Sequence, residues 1–136
     1  MITAVDSSVV LDVLINDRQF GAGSEAALRK AGNEGKLVVC ECVIAEVFPA
    51  LGNQTDFTEF LTDWQLTFSA IDIKSAILAG EYFESYLSRG GNAKRVVPDF
   101  LIGAHALLMA DRLLARDRGY LNDYFNSLNV WDPSIE

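Results

Sequence analysis

The sequence predicts a single α/β domain with a short, mainly parallel central sheet. Two observations carry that expectation. Short apolar runs rich in β-branched residues recur along the chain, and one or more segments with three- and four-residue apolar spacing separate them. The chain also has 136 residues, half of them apolar, which is the size of one domain with a sizeable core, assigned here to residues 1–136 as a whole.

Taken in order, Ile2–Asp6 reads as a short buried strand, and Ser7 and Ser8 can cap a helix running to about Ile15. A second helix is expected over Ala22–Asn33, with Gly35 as its stop. Leu37–Cys40 reads as a strand, and residues 42–51 as a helix that Pro49 should kink or end. Another helix follows at Phe57–Trp64, then an extended piece at Leu66–Ile71. In the helix Asp72–Ser88, residues Ile73, Ala76, Ile77, Gly80, Phe83 and Leu87 form the apolar stripe. The segment from Pro98 to about Ala110 is apolar almost all round, so a buried helix is expected. Leu113–Ala115 is a short strand, and Arg116–Gly119 a turn. Tyr120–Ser127 is a short helix or turn, and Leu128–Trp131 the last strand. Strands in such a sheet end along one edge, where open α/β folds bind their ligands.

No stretch is long and apolar enough for a membrane helix, and an acid at position 6 sits where a signal peptide needs apolar residues. A cytoplasmic protein is expected. Cys40 and Cys42 are too close for an ordinary bridge and lack a second pair for a zinc site, so they read as free thiols. The net charge of −8 argues against a general nucleic-acid binder. Its distribution softens that reading. Residues 1–88 hold five basic and thirteen acidic side chains, whereas residues 89–118 hold six basic and three acidic ones.

The informative residues are four separated acids. Asp6 ends the first strand, Asp117 lies just past a later one, Asp99 opens the buried helix beside Pro98, and Glu46 lies among Val43, Ile44, Val47 and Phe48. Carboxylates brought together must protonate or find a cation, and a hard divalent ion such as Mg²⁺ with its oxygen preference is the economical partner. Each acid also has a plain structural role open to it. Asp6 can be a helix N-cap, Asp99 a favourable charge at a helix start, Asp117 a turn residue and Glu46 a solvated side chain.

The order of motifs adds a resemblance. Val5-Asp6-Ser7-Ser8-Val9, Ile44-Ala-Glu46-Val47, Arg89-Gly-Gly-Asn with Val97-Pro-Asp99-Phe-Leu-Ile-Gly-Ala-His105-Ala, and Leu113-Leu-Ala-Arg-Asp117-Arg-Gly-Tyr120 follow one another as the acidic blocks of PIN-domain nucleases do. The set is most similar to VapC-type toxins of type II toxin–antitoxin pairs. The resemblance implies a three-layer α/β/α sandwich and endoribonuclease activity dependent on Mg²⁺, with Mn²⁺ as a substitute. It also implies homodimers and inhibition by a small cognate antitoxin, with Asp6, Glu46, Asp99 and Asp117 as the acidic quartet. A housekeeping nuclease for RNA maturation or for DNA, and a catalytically silent binding module, are the rival readings. Where the family often has Ser or Thr two residues before the fourth acid, this chain has Ala115, so a hydroxyl that orients a metal water or a carboxylate is missing.

Ser7, Arg116 and Arg118 are the candidate contacts to RNA, the two arginines because they flank Asp117. Arg89, Lys94 and Arg95 are further basic candidates. The single histidine, His105, lies in the apolar helix and is expected to be packed and hydrogen-bonded. Trp64 and Trp131 are expected as core or dimer contacts. Asp12, Asp17 and Asp111 are expected to be solvated.

Overall fold

The computed structural model describes residues 1–91, 97–116 and 123–135. Along the chain come β1 (Ile2–Val5), α1 (Ser7–Leu14), α2 (Gly21–Glu34), β2 (Lys36–Val39), α3 (Glu41–Leu51) and α4 (Gln54–Asp63). They are followed by β3 (Leu66–Phe68), α5 (Ile73–Ser88), α6 (Val97–Met109), β4 (Arg112–Leu114) and β5 (Val130–Trp131). The strands form one sheet in the order β3-β2-β1-β4-β5, and each neighbouring pair is parallel.

That order follows from the connections. The chain steps outward from β1 to β2 to β3, then returns across the sheet to β4 on the other side of β1. With right-handed crossovers, the reversal of direction sends α1 to α4 to one face and α5 and α6 to the other, giving a three-layer α/β/α sandwich. A strand covered on both faces needs apolar residues at successive positions. Ala4, Val5, Leu37, Val38, Val39, Leu113 and Leu114 supply them, and all are buried. The reversal also makes the C-terminal ends of β1 and β4 the switch point of the sheet, the place where open α/β folds bind their ligands in a crevice.

The helix ends obey local rules. Asp6, not Ser7 or Ser8, is the N-cap of α1: it is extended at φ −76° and ψ 155°, and its side chain accepts from the Ser8 backbone N–H. Asn53 and Asp72 cap α4 and α5 in the same way. Pro49 falls in the last turn of α3, which ends two residues later, with Gly52 in the left-handed region at φ 64°.

Two packing expectations need correction. Of the expected stripe on α5, Ile73, Ile77, Gly80 and Leu87 face outward, with Ile73 72% exposed, while Phe83 packs against the core as expected. The inner face carries Ser75 and Ala79, fully buried, with Tyr82, Phe83 and Tyr86 packed against the core. Small residues let α5 approach α6 closely, and the aromatic residues fill the space beyond. The second correction concerns α6. Its Phe100 and the run Ile102–Ala106 are buried, but Leu108 and Met109 reach the surface at its C-terminal end. The Trp64 and Trp131 side chains pack against the core margin, with the Arg29 and Arg112 guanidinium groups 4.8 Å above their rings. Among the described residues, no helix is long and apolar enough to cross a membrane.

Candidate active site

Asp6 follows β1 directly, and its backbone N–H donates to Leu114 O of β4 at 2.9 Å. The carboxylate therefore stands over the switch point between the two strands. One of its oxygens, Oδ2, accepts from Ser8 N at 3.1 Å and from Ser8 Oγ at 2.5 Å. Among the described residues, Oδ1 accepts no hydrogen bond and is the oxygen left for a ligand. The capping reading of Asp6 is thus correct, and one oxygen suffices for it.

Ser7 turns the other way. Its hydroxyl donates to Glu46 Oε1 at 2.9 Å, tying the second turn of α3 to the start of α1. Glu46 is exposed, so the solvated reading of this acid holds, while the bond to Ser7 brings it beside the residue next to Asp6. Asp99 lies in the first turn of α6, half-buried, where an acid also suits the helix N-terminus. The helix α6 runs back to β4, so its first turn lies at the same sheet edge that the strand ends define. Asp117 and Arg118 lie outside the described residues. So do the greater part of the expected turn Arg116–Gly119, the first residues of the segment Tyr120–Ser127, and Lys94 and Arg95.

Among the described residues, no group of three acid, histidine or cysteine side chains lies close enough to hold a metal ion. Asp6, Glu46 and Asp99 alone therefore do not close a three-ligand site. Their donor chemistry is nevertheless uniform: carboxylate oxygens with a serine hydroxyl beside them, the set a hard divalent ion takes.

Sequence reasoning placed two residues wrongly. Asp12 is not solvated but 3% exposed. Its Oδ2 accepts from Arg116 Nε at 2.8 Å and from Ser24 Oγ at 2.8 Å, and its Oδ1 accepts from an Arg116 terminal nitrogen at 3.0 Å. Arg116 was expected to meet RNA. Its guanidinium is instead committed to Asp12 and stacked 4.1 Å above the Phe20 ring. Arg112 is similarly engaged, with Glu34 at 2.8 Å and Thr3 Oγ1 at 2.8 Å. Two of the bases that made residues 89–118 look positive are thus internal partners. The signal that marked Asp12 was its setting in α1, between Leu11 and Val13 with Val9 and Val10 a turn earlier.

Asp111 has a structural task as well, accepting from Ile2 N at 2.6 Å through Oδ2. Cys40 and Cys42 are free thiols, Cys40 buried and Cys42 half-buried. Contact between the two thiols holds Cys40 down at about 7 and pushes Cys42 upward, with burial adding to the rise at Cys42.

His105 is packed as expected, 1% exposed, with Nε2 3.0 Å from Ser69 Oγ. Burial pushes its pKa down, against weaker upward pulls from Glu41, Ser69 and Asp72. The sign for stability follows. Below the ordinary imidazole value of about 6.5, the unfolded chain takes a proton that the folded one resists, so stability falls as pH drops. Melting temperatures of wild type and His105→Gln between pH 7.5 and 5.5 check this. The wild type should lose more stability over that interval, and equal slopes would remove His105 as the cause. Glu34 and Asp72, both lowered, act below that window: their contribution is lost only as pH falls through the carboxylate range.

A parallel sheet with an acid at the end of its first strand, a second acid tethered beside it and a third opening the returning helix defines a class of α/β domains with an acidic crevice at the switch point. The chain belongs to the PIN domain family, whose model matches residues 3–124. No curated protein matches it. Among solved structures it is similar to VapBC2 from Rickettsia felis bound to a DNA fragment from its promoter, with 16% identity, a TM-score of 0.72, and coverage of 97% of this chain and 100% of that one. It is also similar to FitAcB from Neisseria gonorrhoeae, with 16% identity, a TM-score of 0.70 and both chains covered in full. A third similar structure is Mycobacterium tuberculosis VapC20, a toxin that cleaves the sarcin–ricin loop, with 12% identity, a TM-score of 0.60, and coverage of 89% of this chain and 94% of that one. At these identities the likeness is one of fold.

Proposed function

We propose that this PIN domain is a metal-dependent endoribonuclease acting as the toxin of a toxin–antitoxin pair. The observation that carries the reading is Asp6 at the switch point, with one carboxylate oxygen engaged and the other accepting no bond among the described residues, and Glu46 tethered beside it through Ser7. Asp6, Glu46, Asp99 and Asp117 are the proposed ligand set; among the described residues the first three form no three-ligand group by themselves. Mg²⁺, or Mn²⁺ in its place, suits these oxygen donors. When bound, the ion supplies a water of lowered pKa and positive charge beside the phosphodiester.

The protein's own part is placement. The α1 cap fixes the direction of the Asp6 carboxylate, Ser7 holds Glu46 by one oxygen, and the first turn of α6 presents Asp99 where the helix dipole favours an anion. Ser7 and Arg118 are the proposed contacts to RNA. Arg116 is not among them, since Asp12 already takes its charge. Similar folds crystallised as toxin–antitoxin complexes support a small cognate inhibitor, and the sequence resemblance supports a homodimer.

Expression of wild type and Asp99→Asn without a partner protein tests the toxin reading. The wild type should arrest growth and fragment cellular RNA, and the variant should leave both intact. Equal growth and equally intact RNA in the two cultures would end it.

A further inference from the structure

We propose that Asp12 is a positioning residue for Asp6, acting through Arg116 and Ser8, an inference that rests on the reading of this crevice as a nuclease centre. The chain of contacts is continuous. Asp12 grips the Arg116 guanidinium with two parallel N–H···O bonds of 2.8 and 3.0 Å. The Phe20 ring closes one face of the guanidinium at 4.1 Å, and Ser24 Oγ holds Asp12 from behind at 2.8 Å. With its side chain so held, Arg116 offers its backbone N–H to Ser8 Oγ at 3.2 Å. Ser8 Oγ meets Asp6 Oδ2 at 2.5 Å.

A hydroxyl carries one proton, so the contacts have a direction. Ser8 Oγ accepts from Arg116 N and therefore gives its own proton to Asp6 Oδ2. The Ser8 backbone N–H donates to the same oxygen at 3.1 Å. Both donors load Oδ2, which fixes the plane of the carboxylate and leaves Oδ1 as the oxygen that accepts no bond among the described residues. If Arg116 moves, Ser8 loses the contact that orders its proton, and the Asp6 carboxylate gains freedom to rotate.

A plain stabilising role explains the pair less well. Asp12 is 3% exposed, and a carboxylate taken out of water with its cation is often no better for stability than apolar residues of similar volume. Asp12 lies on α1 two turns from its cap, whereas Arg116 leaves β4 on the other side of the switch point. The ion pair thus locks together the two elements that flank Asp6. A bidentate guanidinium–carboxylate pair fixes both distance and plane, which a packed Leu or Met would not.

The test uses the full chain. Asp12→Asn keeps the shape and the bond to Ser24 but removes the charge that orients Arg116. With the fold intact by circular dichroism, kcat on RNA is expected to fall about tenfold while KM stays within about twofold, the size seen when a partner behind a metal ligand is lost. Ser8→Ala is expected to fall by a similar factor. Asp12→Asn with Ser8→Ala should be no slower than Ser8→Ala alone, because both act through one path. Wild-type kcat in a folded Asp12→Asn protein, or effects that multiply in the double variant, would overturn the proposal. Should Asp12→Asn not fold, Ser24→Ala, which removes one donor to Asp12, is read in its place with a drop of a few fold expected. A second readout needs no activity: amide exchange at Arg116. Protection is expected in wild type and lost in Asp12→Asn, and equal exchange in the two would count against the relay. If wild type cleaves no RNA with metal present, the nuclease reading fails, and amide exchange alone decides the positioning claim.

Discussion

Asp6→Asn is expected to lower metal-dependent RNA cleavage by about 10²- to 10³-fold, the range for losing one preorganised charged group at a reacting centre. The variant is informative because it separates the two tasks of Asp6. Asn caps helices as well as Asp does, and its carbonyl oxygen can take both bonds from Ser8. The cap of α1 therefore survives, and the melting temperature should stay within about 3 °C of wild type, roughly the shift for 1 kcal/mol in a chain of this size. What is lost is the negative charge and the donor strength of Oδ1. Asp6→Ala would lose the cap as well and add about 1 kcal/mol of destabilisation. Cleavage assays and melting curves on the two variants settle the point. An Asp6→Asn protein that cuts RNA at the wild-type rate would leave Asp6 only its capping role.

Phe100→Ala is the largest expected loss of stability, about 3–5 kcal/mol. Phe100 is fully buried, and its ring lies 6.1 Å from Phe83, 5.7 Å from Tyr86, 5.3 Å from Tyr124 and 6.3 Å from Phe125. Truncation leaves a void bounded by four rings held from two segments, α5 and the stretch around Tyr124 and Phe125, which cannot close without moving α5 against α6. One glycine shows how tightly that space is filled. A Cβ at Gly103 would lie 2.7 Å from the Phe125 ring, so α6 needs glycine there to let Phe125 in. At about 3 °C per kcal/mol, Phe100→Ala should lower the melting temperature by about 10 °C or more. Because Phe100 follows Asp99 directly, the activity of this variant should also fade well below its melting point. A loss under about 1 kcal/mol would show that α5 and α6 close around the gap.

Much of the architecture was legible because the strands are short apolar runs and the helices between them carry their own stop signals. Asp6 was legible for the same reason: an acid that ends a buried strand has nowhere to go but the sheet edge. Glu46 was not. Its place depends on the bond from Ser7, thirty-nine residues away in sequence, which no periodicity reveals. On α5, two stripes with three- and four-residue spacing were available, Ile73-Ala76-Ile77-Gly80-Phe83-Leu87 and Ser75-Ala79-Tyr82-Tyr86, and they run side by side at Phe83. Hydropathy favours the first, and close packing against α6 selects the second. Asp12 was misread because its partner Arg116 is 104 residues distant, and a mid-helix acid without a local cation looks solvated. The positive balance of residues 89–118 misled in turn, since Arg112 and Arg116 are used inside the fold.

The central claim is that this chain cuts RNA with a divalent ion held by the acidic quartet. Incubation of the purified protein with a mixed RNA pool, with Mg²⁺ or Mn²⁺ and then with a chelator, tests it most directly when the new ends are mapped. Defined internal cuts that need the ion, vanish on chelation and are absent with Asp6→Asn are predicted. Cleavage that continues under chelation, or no cleavage with either ion, would contradict the account.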